Sequence, residues 1–471
     1  MTVIKIKIAF VFFQLILVGV PSAFGKTNFT LPVPEIETLP NGLQVVWFLN
    51  DSLPVLDLGL LVKAGYRDDA KGKSGTAQLL SAVLDRGAGE LDAAQLARAV
   101  EGLGATRYAA ADDDTFTVGI HGLAPDADQL LSLFTKIVLN PRLSKTEIQR
   151  EHTRLSDRWQ HVGDYGDALA SLAYSRIIAS GTDYGRGNFV SSKEFQSVGA
   201  SDVVSFYKTY FVPVNSVLMI VGRVNKVEFR KKILSNFGEW QGTQREVRRN
   251  WQKFSFENLK PKKGQIFLVE REKLTQSQVR IGFKSAPLKA PQHYSLVVGN
   301  VLIGEYFNSR LTSIIRDRLG LTYSIGSSFT YSKDFARFTI SSATRNESTG
   351  QLIRKVLEIL RDLKNGNISD DEVKMAKEYL IGGFPLGVST LGAVALRWLS
   401  GYVYDLGPSY LNEFVPKVEA VSKADVVSAL AKDIDLEDVV IVVAGEPKEI
   451  GASLKASRFN SVKRVKIKDL L

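Results

Sequence analysis

The apolar positions of the chain change their period along its length. Asn41-Gly42 stands between short apolar runs as a hairpin turn signal, Val45 to Phe48 reads as a strand, and Val55 to Val62 reads as a strand whose latter part is buried on both sides. The period then lengthens. Residues 73 to 86, 92 to 102, 126 to 138 and 144 to 160 space their apolar side chains by three and four, which predicts helices, with Gly104 and Pro141 as punctuation. Thr115 to Ile120 alternates as a strand, and the β-branched run from Val217 to Gly222 closes this half.

The same signals return later in the chain. Ser201-Asp202-Val203-Val204-Ser205 leads to the run ending at Gly222, and Ala424-Asp425-Val426-Val427-Ser428 leads to a run ending at Gly445, an offset of 223 residues from Asp202 to Asp425 and from Gly222 to Gly445. Gln129-Leu130-Leu131 before Ser144, and Gln351-Leu352-Ile353 before Ser369, repeat at nearly the same offset. Duplication of one supersecondary unit predicts an α+β chain of two homologous sandwich-like domains. Each would hold a mixed, largely antiparallel sheet with helices on one face. The expected division is a signal segment at 1–25, an N-terminal domain at 26–244, a polar linker at 245–262 and a C-terminal domain at 263–471.

Composition narrows the chemistry. Of the 471 residues 45% are apolar and 23% charged, the balance of a globular chain. There is no cysteine, which excludes disulfides, thiolate metal sites and cysteine nucleophiles, and the histidines are only His121, His152, His161 and His293. Lys5 and Lys7 precede an apolar run from Ile8 to Val20, and Ala23-Phe24-Gly25 supplies small residues before a cleavage point at Gly25/Lys26. The expectation is export, most simply to a bacterial periplasm, with a retained anchor as the alternative. No cysteine follows the run to take a lipid, and no later segment is apolar for eighteen residues, so stable membrane insertion is not expected. Removing Lys5 and Lys7 lowers the formal charge from +10 to +8. Its densest groups, Arg245 to Arg249 and Lys463 to Lys468, fall in the linker and at the C-terminus, a pattern of solvated surface and not of a nucleic acid site.

Several segments together resemble the insulinase/pitrilysin family of zinc peptidases. They are Asn41-Gly42-Leu43, the apolar strand ending near Ala64-Gly65, the helix opening at Ser74-Gly75-Thr76-Ala77, and the Asp202-Val203-Val204 helix with its closing strand. In the second half they are Ser309-Arg310-Leu311 through Arg316 and Gly320-Leu321-Thr322-Tyr323-Ser324. The likeness covers nearly the whole of the expected mature chain. It implies one half of that family's clam-shell, as in members built from two separate subunits. The family's metal motif is H-x-x-E-H, two imidazoles on one helix face with a glutamate as general base. Carried onto this sequence, those positions hold Gln78, Ser81 and Ala82, and the third-ligand position, about 76 residues beyond Ala82, holds Arg158 with Asp157 before it. Glu151 is retained nearby. A guanidinium offers no lone pair, so no metal and no cofactor are expected in this chain. Zinc would sit in a partner.

The resemblance also implies an arginine and, seven residues later, a tyrosine that reach peptide held at the partner's zinc; here they are Arg316 and Tyr323. Read from the residues alone, Leu311, Ile314, Ile315 and Leu319 form the stripe of a helix stopped at Gly320, and Tyr323 begins a strand, with Arg318 as a rival arginine. Ile303-Gly304-Glu305-Tyr306-Phe307-Asn308 occupies the place of a glycine-rich loop yet holds one glycine. His152 and His161, nine apart, would lie on opposite sides of a straight helix and make a poor metal pair. The resulting expectation is a noncatalytic, exported subunit acting on peptides with a zinc-bearing partner. A homo-oligomeric peptide-binding scaffold is the alternative, and a peptidase active alone a third reading.

Overall fold

The computed structural model describes residues 30–185, 192–242 and 264–470, so the signal segment and the linker lie outside the described residues. The first half contributes strands β1 (Glu35–Thr38), β2 (Gln44–Leu49), β3 (Val55–Val62), β4 (Gly87–Ala88), β5 (Leu91–Asp92), β6 (Thr106–Ala111), β7 (Phe116–Leu123) and β8 (Ser216–Gly222). Its helices are α1 (Thr76–Val83), α2 (Ala93–Glu101), α3 (Ala127–Leu139), α4 (Lys145–Gln160), α5 (Gly166–Ile178), α6 (Ser192–Gln196), α7 (Ala200–Tyr210) and α8 (Lys226–Phe237). The second half contributes β9 (Ile266–Glu270), β10 (Gln276–Ser285), β11 (Ile325–Tyr331), β12 (Ala336–Arg345), β13 (Val440–Gly445) and β14 (Val462–Val465). Its helices are α9 (His293–Asn300), α10 (Thr349–Lys364), α11 (Asp370–Gly387), α12 (Leu391–Val403), α13 (Tyr410–Ala420), α14 (Lys423–Asp433) and α15 (Pro447–Ala456).

The repeat is visible in the topology. The first sheet runs β1-β2-β8-β3-β7-β6 and the second β14-β9-β13-β10-β12-β11, so five strands repeat in the same order, while the outer strand comes from the start of the first half (β1) and from the end of the second (β14). In each, a parallel pair (β2 with β8, β9 with β13) meets an antiparallel inner neighbour (β3, β10), and the outer strand is antiparallel in the first sheet (β1) and parallel in the second (β14). The Asn-Gly turn forms as expected. Gly42 takes φ +87°, and Asn41 uses its side-chain amide to cap the end of α8 at the carbonyls of Phe237 (2.7 Å) and Trp240 (3.1 Å).

Helices α1, α2, α3, α4, α7 and α8 bury their apolar stripes on one face of the first sheet, and α9, α10, α11, α14 and α15 do the same on the second. What periodicity did not reveal is the cover on the opposite faces. Helix α5 lies on Phe267, Val269, Val440, Val442 and Ala444 of the second sheet, while α12 crosses to the first, where Trp398 meets Phe48 edge-on at 5.6 Å. Each half thus lends a helix to the other's sheet. From Pro32 onward the halves form one compact unit. No single helix among the described residues is long and apolar enough to cross a membrane.

The α5 crossing depends on a glycine. Tyr174 of α5 donates its hydroxyl to the carbonyl of Phe338 at 2.9 Å, and a Cβ on Gly282 would stand 2.1 Å from that hydroxyl and 2.0 Å from the same carbonyl. Gly282→Ala is therefore expected to lower stability by about 2–3 kcal/mol through overpacking. Thermal unfolding checks this, and Tyr174→Phe in the Gly282→Ala background should recover part of the loss.

A polar clasp also joins the halves. The β6–β7 turn (Asp112 to Asp114) meets the β11–β12 turn (Ser332 to Asp334), and Arg67, just beyond β3, sits between them. Arg67 Nε lies 3.0 Å from Asp114 Oδ1 with both side chains buried, and Arg67 Nη1 donates to Asp334 Oδ2 at 2.9 Å. Tyr184 donates its hydroxyl to Asp114 (3.0 Å) and accepts from the backbone N–H of Asp334 (3.0 Å).

Next to the clasp, Asp113 faces Ser332 Oγ at 3.4 Å, and its carboxyl is pushed up to about 6. Burial is the main cause; Arg337 opposes it, and Asp114 and Asp112 add to it. A folded value above the unfolded one means that the native state binds the extra proton between pH ~4 and ~6. Its contribution is therefore full below pH ~4 and is lost as pH rises through 6, by up to ~3 kcal/mol. Asp113→Asn should be more stable than wild type at pH 7.5 and nearly equal to it at about pH 3.5. Urea midpoints at the two values decide.

Candidate functional site

Helix α1 starts at Gly75, in the left-handed region at φ +96°, and Asp69 holds its first turn by accepting from the N–H groups of Gly75 (2.6 Å) and Ala77 (2.8 Å). Gln78, Ser81 and Ala82 follow on this helix, all half-buried. Ser81 donates to the carbonyl of Gln78 at 2.8 Å, and the Gln78 amide oxygen is buried with no hydrogen-bond partner among the described residues.

Helix α4, capped by Ser144, packs against α1 through a stripe of Ile148, Glu151, Leu155 and Trp159. One member of that stripe is a carboxylate. Glu151 is 4% exposed at its side chain, and three guanidinium groups surround it: Arg154 Nε donates at 2.6 Å, with Arg150 Nη2 at 3.6 Å and Arg86 Nη2 at 3.9 Å. Arg158 stands exposed two turns further on.

The side chains at these positions are an amide, a hydroxyl, a methyl and a guanidinium, and the one retained carboxylate already carries arginine neighbours. This set does not fit a zinc ion, which takes imidazole nitrogen, thiolate or free carboxylate in a tetrahedral array. Among the described residues no group of three or more His, Asp or Glu side chains is placed to hold a metal. The histidines have separate partners. His152 Nε2 bonds the carbonyl of Phe195 at 2.8 Å while its ring stacks on Phe195, and His161 pairs with Asp164 at 3.1 Å. His121 pairs with Asp57 at 2.6 Å. His293 is half-buried beside Tyr331, and desolvation with the Lys417 charge pushes it down to about 4.

The second group of candidates is built differently. Helix α9 runs into a π-helical turn, Val301–Glu305, and after Tyr306 to Asn308 a second helix begins that is π-helical over Thr312–Arg318. Such turns insert an extra residue and recur at functional sites. The segment that stands in the place of a glycine-rich loop, and whose single glycine argues against a mobile one, is half helical: Val301 to Gly304 are buried, and a Cβ on Gly304 would stand 2.8 Å from the backbone nitrogen of Ser327 on β11. The helix ends as its sequence predicts, with Gly320 at φ +59° and the N–H of Leu321 donating to the carbonyl of Ile315 at 3.0 Å.

Three arginines on this helix have distinct surroundings. Arg310 is locked: it forks onto Glu372 (2.7 and 2.9 Å), donates to Asp362 (2.8 Å) and reaches the carbonyl of Asn367 (2.5 Å). Arg316 lays its guanidinium over the ring of Phe307, 4.6 Å from the centroid, with Asp317 at 3.5 Å. Arg318 is exposed. Tyr323 is 94% exposed in the connection before β11. The expectation that it begins a strand is corrected by two residues, because Thr322 turns its hydroxyl onto the carbonyls of Ala343 (2.6 Å) and Ser324 (2.8 Å), which delays pairing until Ile325. No hydrogen bond or ion pair among the described residues links Arg316 or Tyr323 to Gln78, Ser81, Ala82 or Arg158.

Sequence reasoning passed over Phe307 and the arginines around Glu151. An exposed phenylalanine carries no periodic signal, whereas a carboxylate on the apolar stripe Ile148-Glu151-Leu155-Trp159 does, and could have flagged Glu151 as needing cationic partners.

Residues 45–183 match the sequence profile of the insulinase family (peptidase family M16), and residues 197–380 match the profile of the peptidase M16 inactive domain. Curated relatives include the uncharacterized zinc protease YmxG of Bacillus subtilis, 21% identical over 86% of this chain and 97% of its own length. Another is the zinc protease PqqE of Helicobacter pylori, 23% identical over 74% and 78%. Two solved structures share the fold. A peptidase M16 inactive domain from Pseudomonas fluorescens superposes with a TM-score of 0.79 at 21% identity, covering 88% of this chain and 98% of its own. A protease from Helicobacter pylori gives 0.79 at 20% identity, over 88% and 100%.

Proposed function

The chain belongs to the insulinase (M16) family of peptidases, and from that premise we propose that it is a noncatalytic, exported subunit which assembles with a zinc-bearing subunit and supplies Arg316 and Tyr323 to the bound peptide. One observation carries the reading. The α1–α4 positions that would need metal donors and a general base hold Gln78, Ser81, Ala82 and Arg158, while Arg316 and Tyr323 stand accessible in the other half. In the proposed assembly the partner provides metal, water and base. This chain provides the facing wall, where a guanidinium holds a substrate carbonyl and a phenol donates to the oxygen on which charge develops. Splitting the donors between two chains makes hydrolysis conditional on assembly.

The test is to assay the purified chain alone, its zinc-bearing partner alone and the mixture against unstructured peptides, together with the metal content of the chain. The expected result is hydrolysis by the mixture only, with no stoichiometric zinc in this chain. Full hydrolysis by the partner without this chain overturns the proposal, as does zinc-dependent cleavage by the chain unaided. A homo-oligomeric peptide-binding scaffold has one feature in its favour, the sheet edges at β6 and β11, which pair with no further strand among the described residues and suit an extended chain. It requires self-association without a partner and peptide binding without cleavage.

A further inference from the structure

We propose that Phe307 is the positioning residue for Arg316: its ring carries the guanidinium so that the N–H donors are oriented and left available to peptide. This rests on the role of Arg316 given above and adds the group that aims it.

The support is the contrast between neighbouring arginines. Arg310 is held by Glu372, Asp362 and the carbonyl of Asn367, a set that occupies its fork. Arg316 has no hydrogen-bond acceptor among the described residues; its charged neighbour Asp317 stands off at 3.5 Å, beyond a good hydrogen bond. What holds Arg316 is the face of Phe307 at 4.6 Å. A guanidinium donates in its own plane and stacks through its face, so an aromatic support fixes its tilt without consuming a donor. A carboxylate support would consume two.

Phe307 is in turn well placed to serve as a support. It is 63% exposed, so burial of its own ring does not explain it. Its backbone is pinned on both sides. Upstream, Gly304 packs against Ser327 so closely that only a hydrogen fits, and Tyr306 packs its ring on Tyr379 at 4.8 Å between centroids. Downstream, the N–H of Ser309 closes a turn on the carbonyl of Tyr306 at 3.0 Å, and Ser309 Oγ donates to Thr312 at 3.1 Å to start the next helix. The π-helical turns before and after bring this short connection and Arg316 face to face.

Two measurements test the inference. In the isolated chain, the Nε–H resonance of Arg316, assigned by its loss in Arg316→Lys, is expected to show an upfield ring-current shift that collapses in Phe307→Ala and persists in Phe307→Tyr. In the mixture, Phe307→Ala is expected to lower kcat roughly tenfold with KM little changed, Phe307→Tyr to stay within about twofold, and Phe307→Ala in an Arg316→Ala background to add less than about twofold. An unshifted resonance overturns the inference, and so does an equal Phe307→Ala effect with and without Arg316. If Arg316→Ala itself leaves turnover unchanged, the paired-peptidase role of Arg316 falls, and the resonance still reports whether the ring holds the guanidinium.

Discussion

Replacing Arg67 with alanine should destabilise the chain by roughly 3–5 kcal/mol, among the largest single-residue costs expected here, because it leaves Asp114 buried without its countercharge. The two side chains are 1% and 3% exposed and stand 3.0 Å apart. Asp114 would keep the hydroxyl of Tyr184 and the backbone N–H of Lys333 (2.6 Å) as donors, which is why the cost falls short of a bare buried ion. Asp114→Asn should cost less, since it leaves no bare buried carboxylate and Arg67 keeps Asp334, although the single amide oxygen can accept from only one of the two donors. The ordering is the informative part. Urea unfolding of the isolated chain measures it: a loss below ~1 kcal/mol for Arg67→Ala would mean that desolvating the pair cancels its attraction. Because Arg67 also donates to Asp334 in the other half, the same substitution should loosen the β11–β12 turn. Faster amide exchange at Lys333 and Asp334 is the expected sign, with no change in the core of either sheet.

The clasp also marks the limit of what periodicity can tell. Asp112 to Asp114 and Ser332 to Asp334 read as ordinary turn residues, one repeat apart, and nothing local says that two solvent-type turns will bury each other. Helices α1 to α4 were legible because each presents one apolar stripe to one sheet. Helix α5 was not, because a helix apolar on most sides has no stripe to point, and its target lies in the other half. The clue was in the strands instead. In Ser216–Gly222 and Val440–Gly445 every residue is buried, which requires cover on both faces of each sheet. Of the candidate site, Gln78, Ser81 and Ala82 on α1 and Arg158 on α4 were singled out only through the resemblance to the family motif, not from spacing. The arginines around Glu151 and the ring beneath Arg316 depend on a packing distance between helices and on a π-helical phase, and neither is written in spacing.

In the proposed assembly with a zinc-bearing partner, Arg316→Ala should cut turnover by about 10²- to 10³-fold and Tyr323→Phe by about 10- to 10²-fold, the range for removing a charged and a neutral donor from a developing oxyanion in a water-excluded site. Neither loss can be blamed on folding. Tyr323 is 94% exposed and Arg316 is held by an exposed ring and one loose ion pair, so both variants should lie within about 0.5 kcal/mol of wild type in the isolated chain. Pull-down with the partner should be unchanged for the same reason. If the two side chains serve one oxygen, the double variant should lose less than the product of the single losses; if they serve two successive carbonyls, the losses should multiply. The rival Arg318 is decided in the same experiment, because it is exposed without the aromatic support that Arg316 has, and Arg318→Ala should leave kcat within about twofold. A loss below threefold for Arg316→Ala, with partner binding intact, would remove Arg316 from the reacting wall and leave this chain with a scaffolding part in the assembly.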